Sequence, residues 1–248
     1  MKTLISIKFI IALISLLGSV SLLNAQVIID LESGIVVSGY NDVRIPGNQG
    51  TLFSLKEDLK PDAKVFYRIK AGFAVKRHNF LVLYAPLSIK ADGSFDKNIS
   101  FAGMNFPANT PVEATYRFNS YRFTYRFDFI DREKFELGLG FTAKIRDAEI
   151  SLESDQQTGK KTNVGFVPIV NFHLHWLATD HLGLLLDGDA LAAKQGRAED
   201  VLLALTWKLS NAFSFKAGYR ILEGGADNNE VYNFTLLNYG VVGLMIKF

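Results

Sequence analysis

Residues 121–129 alternate without exception: Tyr121, Phe123, Tyr125, Phe127 and Phe129 are aromatic, while Arg122, Thr124, Arg126 and Asp128 are polar. Successive side chains of a strand point to opposite faces, so this run has one aromatic face and one charged face. Residues 135–146 repeat the scheme, with Phe135, Leu137, Leu139, Phe141, Ala143 and Ile145 on one side and Glu136, Thr142, Lys144 and Arg146 among those on the other. Phe213, Phe215, Ala217, Tyr219 and Ile221 alternate with Ser214, Lys216, Gly218 and Arg220. Such period-two runs predict ten strands, near 27–40, 65–75, 80–91, 112–129, 134–149, 162–177, 182–193, 199–209, 212–223 and 231–248. The connections alternate in character. Four are short (76–79, 130–133, 178–181, 210–211), and five are longer or rich in Gly, Asp and Asn (41–64, 92–111, 150–161, 194–198, 224–230). In an up-and-down meander alternate connections share an end, so one end carries tight turns and the other carries loops.

Two architectures explain alternating strands: a soluble barrel with its apolar face inside, or a membrane barrel with that face against lipid. Several runs exceed the roughly 5–6 residues of soluble strands and reach the roughly 9–11 needed to cross a tilted bilayer. Short turns at one end, loops at the other and aromatics near strand ends also favour the membrane. The expected fold is therefore all-β, a transmembrane antiparallel up-and-down barrel of about ten strands, with eight as the alternative count.

The N-terminus differs from the rest. Lys2 and Lys8 precede an apolar stretch from Phe9 to Leu17, and Asn24-Ala25 precedes Gln26, the pattern of a cleaved secretory signal over residues 1–25. Residues 26–248 then form one barrel domain. Loss of Lys2 and Lys8 takes the 27 basic residues to 25, equal to the 25 acidic ones. That balance leaves no electrostatic footprint for nucleic acid. With no cysteine among 248 residues, a disulfide scaffold, a thiolate metal site and a lipidated N-terminal Cys are excluded. A hydrophobic content of 48% excludes a disordered chain.

The C-terminus carries a resemblance. Val242, Leu244, Ile246 and Phe248 alternate with Gly243, Met245 and Lys247, and the sequence stops at Phe248. This resembles the terminal strand of bacterial outer-membrane β-barrel proteins, in the style of the small outer-membrane protein A-like and W-like barrels. The resemblance implies residence in the outer membrane, contact with its lipid, and Phe248 as part of the signal read by the barrel assembly machinery. A monomer without a cofactor is expected.

Assigning the polar face of each strand to the interior gives basic lumen residues Arg68, Lys70, Arg122, Arg126, Lys144, Arg146, Lys208, Lys216, Arg220 and Lys247, and acidic ones Asp30, Glu32, Asp128, Glu136, Asp187 and Asp189. Charges confined in a narrow barrel pair with one another, because an unpaired charge out of water is costly. The leading expectation is thus a non-enzymatic barrel with an ion-paired lumen, acting in surface binding or envelope structure. The alternative is a narrow passive pore, porin-like, with an anion preference from the basic excess. A surface lipid or peptide hydrolase comes third, since His78, His173, His175 and His181 all fall near the tight-turn end. His173 and His175 share a face, a spacing compatible with a shared metal but equally with hydrogen bonds to lumen carboxylates or Asn171, and no metal is expected. The candidate ligand-binding cluster is an outer rim of Asp187, Asp189, Arg197, Glu199, Asp200, Arg220, Glu223 and Asp227. Within the long loops, residues 55–60 ahead of Pro61 suggest one or two helical turns, and Phe95, Phe101, Met104 and Phe106 suggest a lid over the mouth.

Overall fold

A computed structural model describes residues 25–193 and 196–248. Apart from Ala25, the expected signal segment lies outside the described residues, as do residues 194–195. Among the described residues fifteen strands are present: β1 (Ala25–Arg44), β2 (Phe53–Ser54), β3 (Leu59–Pro61), β4 (Lys64–Val75), β5 (His78–Ala85), β6 (Ser88–Ser94), β7 (Ile99–Phe101), β8 (Met104–Phe106), β9 (Pro111–Arg132), β10 (Phe135–Glu153), β11 (Thr158–Leu177), β12 (Leu182–Ala193), β13 (Gly196–Lys208), β14 (Phe213–Asp227) and β15 (Tyr232–Lys247). Each long strand pairs antiparallel with its neighbours, β9 pairs β10, and β15 returns to β1 from Ile28↔Lys247 to Arg44↔Tyr232. The result is a closed barrel of ten staves. One stave is split: β5 and β6 both pair β9 and are separated at Pro86-Leu87, where proline lacks the donor a ladder needs.

The alternation explains the wall. Tyr121, Phe123, Tyr125, Phe127 and Phe129 all face outward, whereas Arg122, Thr124, Arg126 and Asp128 are buried inside. Leu139, Phe141 and Ile145 on β10, and Phe213, Phe215 and Tyr219 on β14, extend the outer belt. From Tyr121 to Phe129, at about 3.3 Å per residue and a tilt near 40°, the belt is roughly 20 Å tall, comparable to the ~25 Å apolar band of membrane barrels. An apolar belt around a barrel whose last strand pairs back to its first is the architecture of a bacterial outer-membrane β-barrel. The closing seam includes the C-terminus: Val27 N–H donates to Phe248 O at 2.6 Å and Phe248 N–H to Val27 O at 3.1 Å.

Above Tyr121 the pattern inverts. On β9 the inward residues become Val112, Ala114, Tyr116 and Phe118, and the outward ones Glu113, Thr115 and Arg117. On β10, Ile150 and Leu152 are buried, while Asp147 and Glu149 both pair with Arg117 outside at 3.1 Å. Lys160 reaches Glu149 at 2.8 Å and Lys90 reaches Glu113 at 2.6 Å. In β1 the change of phase is made by a bulge between Ser38 and Tyr40, after which Asn41 and Val43 face inward. Ionic ladders on the outside and apolar groups within describe a barrel end that stands in water, beyond the lipid.

Three of the five connections expected as long loops are strand instead. Residues 150–161 shrink to the turn 154–157 and 224–230 to 228–231, while of 194–198 the described residues 196–198 belong to β13. Inward-facing apolar groups such as Ile150 and Leu152 reward continued pairing there. Residues 55–60 form no helix: Ser54 O accepts from Asp58 N–H at 3.1 Å in a single turn, and Leu59–Pro61 then pairs with β6. The lid is present. Phe95, Phe101 and Phe106 are buried with Phe53, Leu55 and Ile99, while Met104 is exposed. Phe53 sets its ring edge-on to Phe95 and Phe101, at 5.1 and 5.7 Å. Because Ile99 is fully buried where the cap packs onto the apolar barrel interior, Ile99→Val is expected to loosen the cap by about 0.5–1.5 kcal/mol. Amide exchange should rise over residues 95–106 and stay unchanged in the belt strands; a uniform rise would show that cap and barrel open together.

Candidate functional site

The polar face builds a layer of ion pairs across the lumen. Glu32 accepts from Lys216 Nζ at 2.7 Å and Arg220 Nη2 at 2.8 Å, with Arg68 Nε at 3.3 Å. Asp200 holds three arginines: Arg122 Nη2 and Arg220 Nη1 at 2.5 Å, and Arg68 Nη2 at 3.0 Å. Asp189, directly opposite Asp200 across β12 and β13, accepts from Arg122 Nη1 at 2.6 Å, Thr142 Oγ1 at 2.7 Å and Asn171 Nδ2 at 3.0 Å. Two carboxylates in register repel one another, and Arg122 bridges them. Lower down, Asp187 receives Lys70 at 2.5 Å, and Asp128 receives Arg126 Nε at 2.7 Å and Asn79 at 2.6 Å. Gly138 packs here because a Cβ would collide with Asp128 Oδ1. Lys216 also binds Asp30 at 2.6 Å, and Lys247 binds Glu136 at 3.0 Å.

The cations of this layer are Arg68, Lys70, Arg122, Arg126, Lys216, Arg220 and Lys247; its carboxylates are Asp30, Glu32, Asp128, Glu136, Asp187, Asp189 and Asp200. The two sets are equal in number. Of the lumen charges that sequence parity assigned, these thirteen lie in the layer together with Asp200 from the expected rim, whereas Lys208, half-buried at the end of β13, makes no ion pair among the described residues. Two further basic groups, Lys144 and Arg146, stand above the layer. Lys144 is only 4% exposed, and among the described residues its Nζ has no carboxylate within ion-pair distance; it lies 4.9 Å over the Phe118 ring. Arg146 Nη2 bonds Asn163 Oδ1 at 2.5 Å, and its buried Nε has no partner. The basic excess that suggested an anion pore is therefore concentrated here rather than along a path.

The expected outer rim does not exist as one cluster. Asp187, Asp189, Asp200 and Arg220 belong to the lumen layer. Glu199 and Glu223 are cross-strand neighbours of the opposite parity and face outward with Arg197, whose guanidinium grips Glu223 at 2.6–2.9 Å and lies 5.0 Å from the Phe234 ring. Tyr40 also donates to Glu223. Asp227 is exposed at the end of β14. Period two separates residues that lie one position apart, which a list by sequence proximity overlooks.

The histidines are engaged near the tight-turn half. His173 Nδ1 lies 3.0 Å from Asp187 and its Nε2 3.5 Å from Glu136. His175 Nε2 is 2.9 Å from Thr206 Oγ1, His78 Nδ1 is 2.9 Å from Tyr125 Oη, and His181 Nδ1 is 3.1 Å from Lys208 O. In the turns themselves Lys134 Nζ donates to Asp180 at 2.8 Å; that bond and the opposite charge lower the Asp180 pKa and raise that of Lys134.

Above the ion layer lies a cavity of about 880 Å³, lined by Tyr116, Phe118, Lys144, Arg146, Ile150 and Leu222 from the interior, by Phe166, Val167 and Pro168 of β11, and by Arg197 and Glu223. Nothing in the sequence reading located it. Its signal was present: the aromatic and aliphatic residues change phase at 118–121 and again at 145–150, which marks the start of an apolar interior.

In backbone arrangement the chain is similar to Ail, the attachment invasion locus protein of Yersinia pestis (9% identity over 90% of this chain and 99% of Ail, TM-score 0.39). It is similar to Neisserial surface protein A (15%, 90% and 97%, TM-score 0.35), and to the outer membrane protease OmpT of Escherichia coli (10%, 90% and 97%, TM-score 0.49). No family model matches the sequence, and no curated protein does.

Proposed function

We propose that this chain is a non-enzymatic outer-membrane barrel whose lumen is sealed by ion pairs and whose water-exposed end serves surface binding. One observation carries the reading: seven cations and seven carboxylates, most of them buried and only Lys70, Glu136 and Lys247 partly exposed, satisfy one another across the lumen, from β1 and β4 through β9, β10 and β12–β15. Each pair broken to admit a solute leaves a buried charge uncompensated. Above the layer, the capped apolar interior adds a second obstruction. The histidines support the non-enzymatic reading, since each is bonded to a structural partner at the end opposite the cavity.

Planar-bilayer recording on refolded protein tests this reading. The expected trace has no stable single-channel steps. Steady conductance steps that shrink when Arg122 or Arg126 is replaced would establish the porin-like alternative instead, and turnover of lipid or peptide substrates by the same preparation would establish a hydrolase.

A further inference from the structure

β11 and β12 are paired only from Val170↔Ala190 to Leu177↔Gly183. β11 continues upward on β10 as far as Thr158↔Glu153, whereas β12 turns away and pairs only with β13, ending at Ala193↔Gly196. Among the described residues, the upper half of β11 therefore has a free edge, and a notch opens in the wall at the height where the outer surface changes from apolar to charged. Pro168 sits on that edge, where a residue without an amide donor is tolerated. A second break in the wall, between β4 and β6, is covered by β3; the notch is not covered by any described strand.

The cavity opens through this notch. Its lining includes Phe166 and Pro168 from the outer face of β11 together with Val167 from the inner face. Both faces of one strand can border a single space only at an edge. At the inner end stands Lys144, more than nine-tenths buried and lining the cavity, with Arg122 beside it in register on β9 and Arg146 two positions above. The nearby carboxylates are already used: Asp189 by Arg122 and Asp200 by three arginines. Largely apolar inner walls, a polar outer part whose Glu149, Glu223 and Glu230 are each paired with a basic side chain, one end buried at an ammonium without a counter-charge among the described residues, and a mouth at the bilayer surface describe one class of occupant.

We infer that this cavity takes an anionic amphiphile, a hydrocarbon tail ending in a carboxylate or phosphate, which enters sideways through the β11–β12 notch and places its anion on Lys144. A volume of about 880 Å³ falls within the ~300–1,000 Å³ of small-molecule sites. The inference rests on the binding-barrel reading above, and specifies its ligand class. The sealed layer beneath blocks passage onward, so the site holds its ligand rather than conducting it.

The test uses full-length refolded protein in zwitterionic phosphatidylcholine nanodiscs, with the fluorescent fatty carboxylate cis-parinarate as probe and its methyl ester as the uncharged control. Saturable binding above that of empty nanodiscs is expected for parinarate, with the ester much weaker. Lys144→Gln removes the charge-assisted contact and should weaken parinarate about tenfold or more while leaving the ester unchanged. Ala148→Trp, which fills the cavity without touching the ion layer, should abolish both; it decides the question if Lys144→Gln fails to give a folded, heat-modifiable band. Phosphatidylglycerol added to the nanodiscs distinguishes the source: competition assigns the site to a membrane lipid headgroup, and its absence to a free acid. Equal affinity for acid and ester, or unchanged parinarate binding in Ala148→Trp, overturns the inference. Conductance is a separate readout, so an open lumen would defeat the sealed-barrel reading without bearing on this result.

Discussion

Replacing Asp200 by alanine should cost about 3–5 kcal/mol of stability, the largest loss expected for any single side chain of the ion layer. Asp200 is the meeting point of Arg68, Arg122 and Arg220 at 2.5–3.0 Å, and no other carboxylate receives three guanidinium groups among the described residues. Glu32 still serves Arg68 and Arg220, and Asp189 still serves Arg122, so the barrel retains partial compensation while the centre carries net positive charge. The urea midpoint in phosphatidylcholine vesicles should fall with the slope unchanged, as for a stability loss without a change of mechanism. Removing Glu113, whose pairing with Lys90 lies on the exposed outer surface, should leave the midpoint where it was. A shift below about 1 kcal/mol for Asp200→Ala would mean that water already screens the lumen, and the sealed-barrel reading would fall with it.

The second large effect concerns the outer belt. Phe141 is 51% exposed near the middle of the apolar run of β10. Phe141→Arg places a guanidinium against hydrocarbon and should cost roughly 2–4 kcal/mol at that depth. Glu153→Arg changes charge on the outward side of the same strand, above the inversion, where Glu113 lies directly across. It should fold and unfold as the unmodified protein does. Comparing the two in lipid vesicles locates the membrane boundary, and an equal loss at both positions would contradict a belt that ends near Tyr121.

Much of this architecture was legible in the sequence because period two is a local signal. Tyr121 to Phe129 and Phe135 to Ile145 declare their faces without reference to any other strand, and the faces they declare are the observed ones. The lumen charges follow from the same rule. The upper barrel was legible too but needed the phase to be followed through: Val112, Ala114, Tyr116 and Phe118 alternate on even positions, Tyr121 to Phe129 on odd ones, and the switch between them is the edge of the membrane.

The rim cluster failed for the complementary reason. Arg197, Glu199 and Asp200 are close in sequence, yet Asp200 faces the lumen while its neighbours at odd positions face out, because adjacent strand residues point apart.

By itself, then, the sequence determined the ten-stave barrel, its lipid-facing belt and the identity of nearly all the charges inside. Those properties depend on side-chain alternation, which each strand expresses alone. Only the tertiary structure decided that Asp200 gathers arginines from β4, β9 and β14, that seven cations meet seven carboxylates, and that Lys144 stands above them over the Phe118 ring, with no carboxylate partner among the described residues. It alone showed the notch, which exists because β11 outruns β12. Such features depend on relative strand lengths and on contacts between residues far apart in the chain, and these are set only when the barrel closes.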